Sequence, residues 1–242
     1  MKKLIPIASE LSFQRLSRAK SRGKLESIFT VTLVLALISA NSVRAQEQEG
    51  YVKDLMEVNF FGGGGVPSGD IKEFSDTVGA KFGYDFGFDA GFFITQSWVA
   101  GLNFTYTAFK IDDVAKVPGL HHKLYSPNLY LKYYFTGQSD FVPYLKAQGG
   151  PVFPKFTTLV GSVGSKRYRE MSYDPVFAYG FGAGLFYFTT DFSGLFVEAN
   201  YLRAESSGSK VNYQGVDYSL GSDLNLIDIH AGVRILIGGS SE

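Results

Sequence analysis

The chain has 242 residues, with 22 Phe, 15 Tyr, 28 Gly and no Cys. That length accommodates one domain with a sizeable core, and the lack of cysteine excludes a disulfide framework, a cysteine-ligated metal and any thiol mechanism. Lys+Arg and Asp+Glu balance at 23 each, but they are unevenly spread, and the unevenness divides the chain.

Residues 1–45 read as a signal peptide. Lys2, Lys3, Arg15, Arg18, Lys20, Arg22 and Lys24 form a basic opening, and residues 28–40, IFTVTLVLALISA, are an uncharged apolar run. A membrane-spanning helix needs roughly 20 residues, whereas a signal-peptide apolar region needs about 7–15. Val43-Arg44-Ala45 supplies a cleavage site before Gln46, so Ala45 and Gln46 are expected to flank the cut. The leader holds 8 of the 23 basic and 2 of the 23 acidic residues, which leaves 15 basic and 21 acidic in residues 46–242, a net of −6. No basic stripe remains, and nucleic acid is not expected as a partner.

From residue 51 the dominant pattern is a period of two, which belongs to extended strands whose side chains alternate between faces. In the first strand, 51–65, Met56, Val58 and Phe60 share one face and Glu57, Asn59 and Phe61 the other. Gly62 to Gly65 lack the following Lys and Ser/Thr of a phosphate loop and read as a flexible strand end. The second, 82–94 (FGYDFGFDAGFFI), sets Phe82, Tyr84, Phe86, Phe88, Ala90, Phe92 and Ile94 against Gly83, Asp85, Gly87, Asp89 and Gly91. Strands follow at 98–110, 122–135, 141 onward, 173–188, 194–203 and 222–237. Gly149-Gly150-Pro151 predicts a bulge or kink in the fifth. Residues 156–172 and 204–221 read as long loops.

Three regularities define the class. There are eight candidate strands, an even number. Most are long enough to cross a bilayer at a tilt, which takes roughly 9–11 residues. Connections alternate long and short, so the long ones gather at one end. Aromatic residues also fall into two groups: Trp98, Phe135, Phe141, Tyr187 and Phe192 flank the short turns, and Tyr84, Tyr106, Tyr125, Tyr173 and Tyr201 lie toward the long loops. The expected fold is all-β, a single eight-stranded antiparallel transmembrane β-barrel over 46–242, in the outer membrane of a bacterium.

With these strands, PNLYLKYYF (127–135), PYLKAQGGPVF (143–153) and IDIHAGVRILI (227–237) resemble the eight-stranded outer-membrane barrel family, the porin-like group of OmpA and OmpW type. The resemblance implies lipid and lipopolysaccharide around the wall and the barrel-assembly machinery as a partner. Such barrels usually end in an aromatic residue, whereas here residues 238–242 follow the last strand.

Strand parity places Asp85, Asp89, Asn103, Lys132, Lys146, Gln148, Glu198, Asn200, Asp228, His230 and Arg234 in the lumen. An eight-stranded barrel is only wide enough for side chains to fill it, and both signs of charge are present, so the lumen is expected to be closed by a polar network. A narrow channel or transporter for ions or small hydrophobic compounds is the alternative, for which the Gly149–Pro151 kink would supply an opening. No enzyme, cofactor or metal is expected. Of the three histidines, His121 and His122 point to opposite faces, and neither His122 nor His230 starts the His-x-Ser pair of the lipid A deacylases. Lys166, Arg167 and Arg169 in a long loop are candidates for an external ligand or protein.

Overall fold

Alternation of bulky apolar residues with Gly, Asn and charged residues is satisfied by a sheet with two unlike faces, and the β-branched and aromatic residues on it favour the pleated backbone. The computed structural model describes residues 55–68, 80–111, 121–135, 139–160, 167–206, 209–219 and 223–238. Residues 1–45, the Ala45–Gln46 bond and Lys166 lie outside them.

Eleven strands are present among the described residues: β1 (Met56–Ser68), β2 (Ala80–Phe93), β3 (Trp98–Ile111), β4 (His121–Tyr134), β5 (Phe141–Val160), β6 (Arg167–Ser172), β7 (Val176–Thr190), β8 (Ser193–Glu205), β9 (Lys210–Tyr213), β10 (Val216–Ser219) and β11 (Asp223–Ile237). Eight of them, β1, β2, β3, β4, β5, β7, β8 and β11, form an antiparallel meander. It closes through β1–β11 at one seam and β4–β5 at another, so every barrel strand has a partner on both sides. Closure removes the free edge that hydrocarbon cannot solvate. Among the described residues no helix is long and apolar enough to cross a membrane.

The connections 94–97 and 191–192 share one end with the β4–β5 junction. In the first, Thr95 Oγ1 accepts hydrogen bonds from the Ser97 and Trp98 amides (3.3 and 3.1 Å).

Several sequence expectations need correction. Gly62 to Gly65 are no frayed end: all four are paired to β11, and all four also to β2. Residues 156–172 are not a loop throughout, because β5 runs on to Val160 and pairs there with β6, forming a hairpin beyond the point where β7 leaves β5. The 204–221 segment carries a second hairpin, β9–β10, turned by Gln214 and Gly215 at positive φ. Tyr173 faces inward and is buried against Phe156 rather than joining an outer belt. Gly149-Gly150-Pro151 makes no bulge: its register to β7 is unbroken. On the β4 side the pairing offset is the same before and after 126–128, but the ladder lapses between. That offset puts Pro127 opposite Pro151, and neither has an N–H to donate.

Close approach of strands depends on missing side chains. Gly101 of β3 lies opposite Gly91 of β2, and a Cβ on it would stand 2.2 Å from the Ala90 carbonyl oxygen. Gly101→Val is expected to lower the free energy of unfolding by about 1–3 kcal/mol, the usual effect of overpacking. Urea titration of the vesicle-embedded protein measures it, and an unchanged midpoint would contradict so close a contact.

Candidate functional site: the barrel lumen

The two faces of the wall differ sharply. Outward-pointing Phe88, Phe181, Leu129, Ile229 and Val197 are 45–70% exposed, while the side chains alternating with them, such as Asp89, Asn128, Asp228 and Glu198, are buried. A soluble sheet does the reverse, turning its apolar row to a core and its polar row to water. Trp98, Phe141, Tyr187 and Phe192 are exposed near the short turns, and Tyr84, Tyr179 and Tyr201 lie outward elsewhere on the wall. Rings at the short-turn rim suit a lipid–water boundary. An even number of strands with polar filling and apolar casing completes the pattern. This is a transmembrane β-barrel of the bacterial outer-membrane type.

Inside it, the expected lumen residues Asp85, Asp89, Asn103, Lys132, Lys146, Glu198, Asn200, Asp228, His230 and Arg234 are each no more than 5% exposed, while Gln148 is only partly buried. The structure brings most of them into one chain of contacts whose hub is a residue that sequence reasoning did not single out; Asn103 instead accepts from Thr105 and Asn128. Glu57 is fully buried. Its Oε1 accepts from Lys132 Nζ at 2.8 Å, Tyr130 Oη at 2.9 Å and Asn59 Nδ2 at 3.3 Å, and its Oε2 accepts from Tyr134 Oη at 2.5 Å. Arg234 Nε lies 3.5 Å from Glu57 Oε2 and donates to Asn59 Oδ1 at 2.8 Å.

From this hub the charges alternate around the lumen. Lys132 Nζ also reaches Asp89 Oδ2 at 2.8 Å. Lys146 Nζ lies 3.7 Å from that same oxygen and 2.9 Å from Glu198 Oε1. Glu198 Oε1 is in turn 4.0 Å from His230 Nδ1. The order Arg234, Glu57, Lys132, Asp89, Lys146, Glu198 therefore runs plus, minus, plus, minus, plus, minus. Alternation and hydrogen bonding on several sides are what make buried ions tolerable.

Aromatic rings complete the floor. The Arg234 guanidinium carbon sits 4.2 Å from the Phe186 ring centre and 4.9 Å from that of Tyr134. These distances fit cation–π contact, strengthened by desolvation. Below the charges, toward the short turns, Val99, Tyr134, Val142, Tyr144, Phe186 and Phe196 form one apolar layer. Above them, Phe109, Leu124, Val152, Phe156, Leu202 and Leu226 form another, which also takes in Met171 of β6. The polar network is thus held between two apolar plugs.

Glu57 had one legible signal: it shares the face of Asn59 and Phe61, opposite the apolar row of Met56, Val58 and Phe60. His121 and His122 do diverge. His122 is fully buried, its Nδ1 accepting from the Thr157 amide at 3.2 Å, while His121 lies half-buried near Tyr84. Arg169 is not free for a ligand: it donates to Tyr213 Oη at 2.6 Å and lies over that ring, and Lys123 pairs with Glu170.

No family model matches the chain, and no curated protein matches it. Among solved structures it is similar to Neisserial surface protein A at 20% identity, covering 74% of this chain and 96% of that one, with a TM-score of 0.48. It is similar to the outer membrane protein OprG from Pseudomonas aeruginosa at 13% identity, covering 79% and 99%, TM-score 0.46. It is also similar to the outer membrane protease OmpT from Escherichia coli at 8% identity, covering 79% and 99%, TM-score 0.37. These values are too low to carry an activity across.

Removing one member of a buried ion network leaves its partners uncompensated. Glu57→Gln is expected to destabilise the barrel by about 3–5 kcal/mol. Glu170→Gln, which breaks a partly exposed pair, is expected to change stability by about 0–1 kcal/mol. Urea unfolding in vesicles ranks the two, and equal effects would contradict the hub role of Glu57.

Proposed function

We propose that this protein is a non-catalytic outer-membrane barrel with a structural or surface-binding role, its lumen closed to ions. The observation that carries this reading is an ion network of alternating charge stacked between two apolar layers. An ion crossing the barrel would have to separate buried pairs and enter two dry layers, each unfavourable by several kcal/mol. Of the buried histidines, His230 lies in the network between these layers and His122 packs against Phe156 of one of them.

Surface binding is supported by the hairpins beyond the barrel. The β5–β6 hairpin is tied to β4 by the Lys123–Glu170 pair and to β9 by Arg169 with Tyr213. Ser209 Oγ donates to the Asp174 carbonyl at 2.7 Å. Cross-ties of this kind make a shaped platform, suited to lipopolysaccharide headgroups or an external protein. Lipopolysaccharide and the barrel-assembly machinery remain the partners proposed with this reading.

One feature favours a second reading, passage of small apolar compounds through the wall. The β4–β5 ladder lapses at Pro127 and Pro151, and a groove of about 720 Å³ lies on the wall nearby, lined by Ala100, Leu129, Ala147, Gly149 and Phe181 among others. Planar-bilayer recording together with uptake of an apolar dye by protein-loaded vesicles separates the readings. No conductance steps and no dye uptake above empty vesicles are expected. Discrete conductance steps would overturn the closed lumen, and dye uptake without conductance would replace the first reading by the second.

A further inference from the structure

Five carboxylates, Glu57, Asp85, Asp89, Glu198 and Asp228, and three permanent cations, Lys132, Lys146 and Arg234, are buried among the described residues. The cations sit against Glu57, Asp89 and Glu198. Asp85 and Asp228 therefore have no lysine or arginine beside them, and their neighbour is His230. Buried carboxylates without a counter-charge are strongly unfavourable.

Three adjacent strands bring these residues together. Gly63 of β1 pairs with Asp85 of β2 on one side and with His230 of β11 on the other. A Cβ on Gly63 would lie 2.8 Å from Asp85 Oδ1 and 2.9 Å from His230 Cδ2. The missing side chain is the space over which the two lean together. Asp228 stands two residues before His230 on the same face.

His230 Nε2 lies 3.2 Å from Asp85 Oδ1 and 3.1 Å from Asp228 Oδ1. Neither contact has the direction of an N–H···O bond: Nε2 and both Asp85 oxygens lack a hydrogen-bond partner although both residues are buried. The spacing suits another kind of tie. Adjacent donors around a divalent ion with arms of about 2.1 Å stand roughly 3.0–3.4 Å apart in tetrahedral or octahedral shells. One ligand atom from each of the three residues falls within 4.8 Å of the others. Imidazole with carboxylates is a donor set for first-row divalent cations.

The surroundings hold the ring in place. Phe61 stacks on His230 with centroids 4.5 Å apart. The Asn200 amide lies 3.2 Å from His230 Nδ1 and 2.9 Å from Asp228 Oδ1. Asn200 Nδ2 donates to the Asp228 carboxylate, so that carboxylate is oriented by an outer hydrogen bond of the kind that metal-binding carboxylates use.

We propose that Asp85, Asp228 and His230 bind one first-row divalent cation in the lumen, which supplies a counter-charge to the two carboxylates that have no lysine or arginine beside them. The buried position means that the ion enters as the barrel folds. The test is to refold the chelator-stripped full chain in detergent with ZnCl2, remove excess by gel filtration, and count zinc by mass spectrometry. Folded material is identified by its electrophoretic mobility without heating. About one zinc per folded barrel is expected, with a raised thermal midpoint. Asp85→Asn and Asp228→Asn are expected to weaken retention at least about tenfold. Zinc far below one per folded wild-type barrel, or a thermal midpoint indifferent to zinc, would overturn the proposal in favour of a shared proton. Retention equal to wild type in whichever variant folds would also overturn it.

Discussion

A strand crossing hydrocarbon has no water to satisfy its backbone, so each N–H and C=O must find a partner on the next strand. Everything else in this protein follows from meeting that demand by closure. Eight strands bent into a ring have no edge, and they also have very little inside. The narrow lumen is what makes side-chain size the controlling variable on the inner face.

The inner face meets that constraint in two ways. Glycine occupies it where strands must come close, as at Gly63 and Gly101. Elsewhere polar side chains fill it, and charges that enter so small a space must be paired within it. Glu57 joins Lys132 and Arg234, Asp89 bridges both lysines, and Glu198 holds Lys146. The same network that fills the barrel therefore ties β1, β2, β4, β5, β8 and β11 together through its middle. The seam at Pro127 and Pro151, where the ladder lapses, is the one place between β4 and β5 that lacks such direct backbone support.

Much of this was legible in the sequence because a period of two is unambiguous over 13 or more residues. The rows Phe82 to Phe92 and Leu195 to Tyr201 assign inside and outside by themselves, and Asp85, Lys132 or Arg234 follow by counting. Strand extent was harder. Gly62 to Gly65 have no side chains to show a periodicity, and the residues of β6, RYREMS, alternate no clear apolar row. The partnership among lumen residues was not legible at all. Parity tells which side chains share an interior, but register and stagger decide that Glu57 meets Lys132 and that Asp85 meets His230 across Gly63. Glu57 was missed as a hub for that reason.

The most direct measurement of a wall that is apolar outside and polar inside is a spin-label scan along β8, which contains no glycine from 195 to 202 in a chain that has no native cysteine. In lipid vesicles, labels at Leu195, Val197, Ala199 and Tyr201 should collide freely with oxygen dissolved in the bilayer. They should also be shielded from a water-soluble relaxing agent, while labels at Phe196, Glu198, Asn200 and Leu202 should be immobile and shielded from both. Access of the water-soluble agent to Val197 and Ala199, or an oxygen profile with no period of two, would contradict the account.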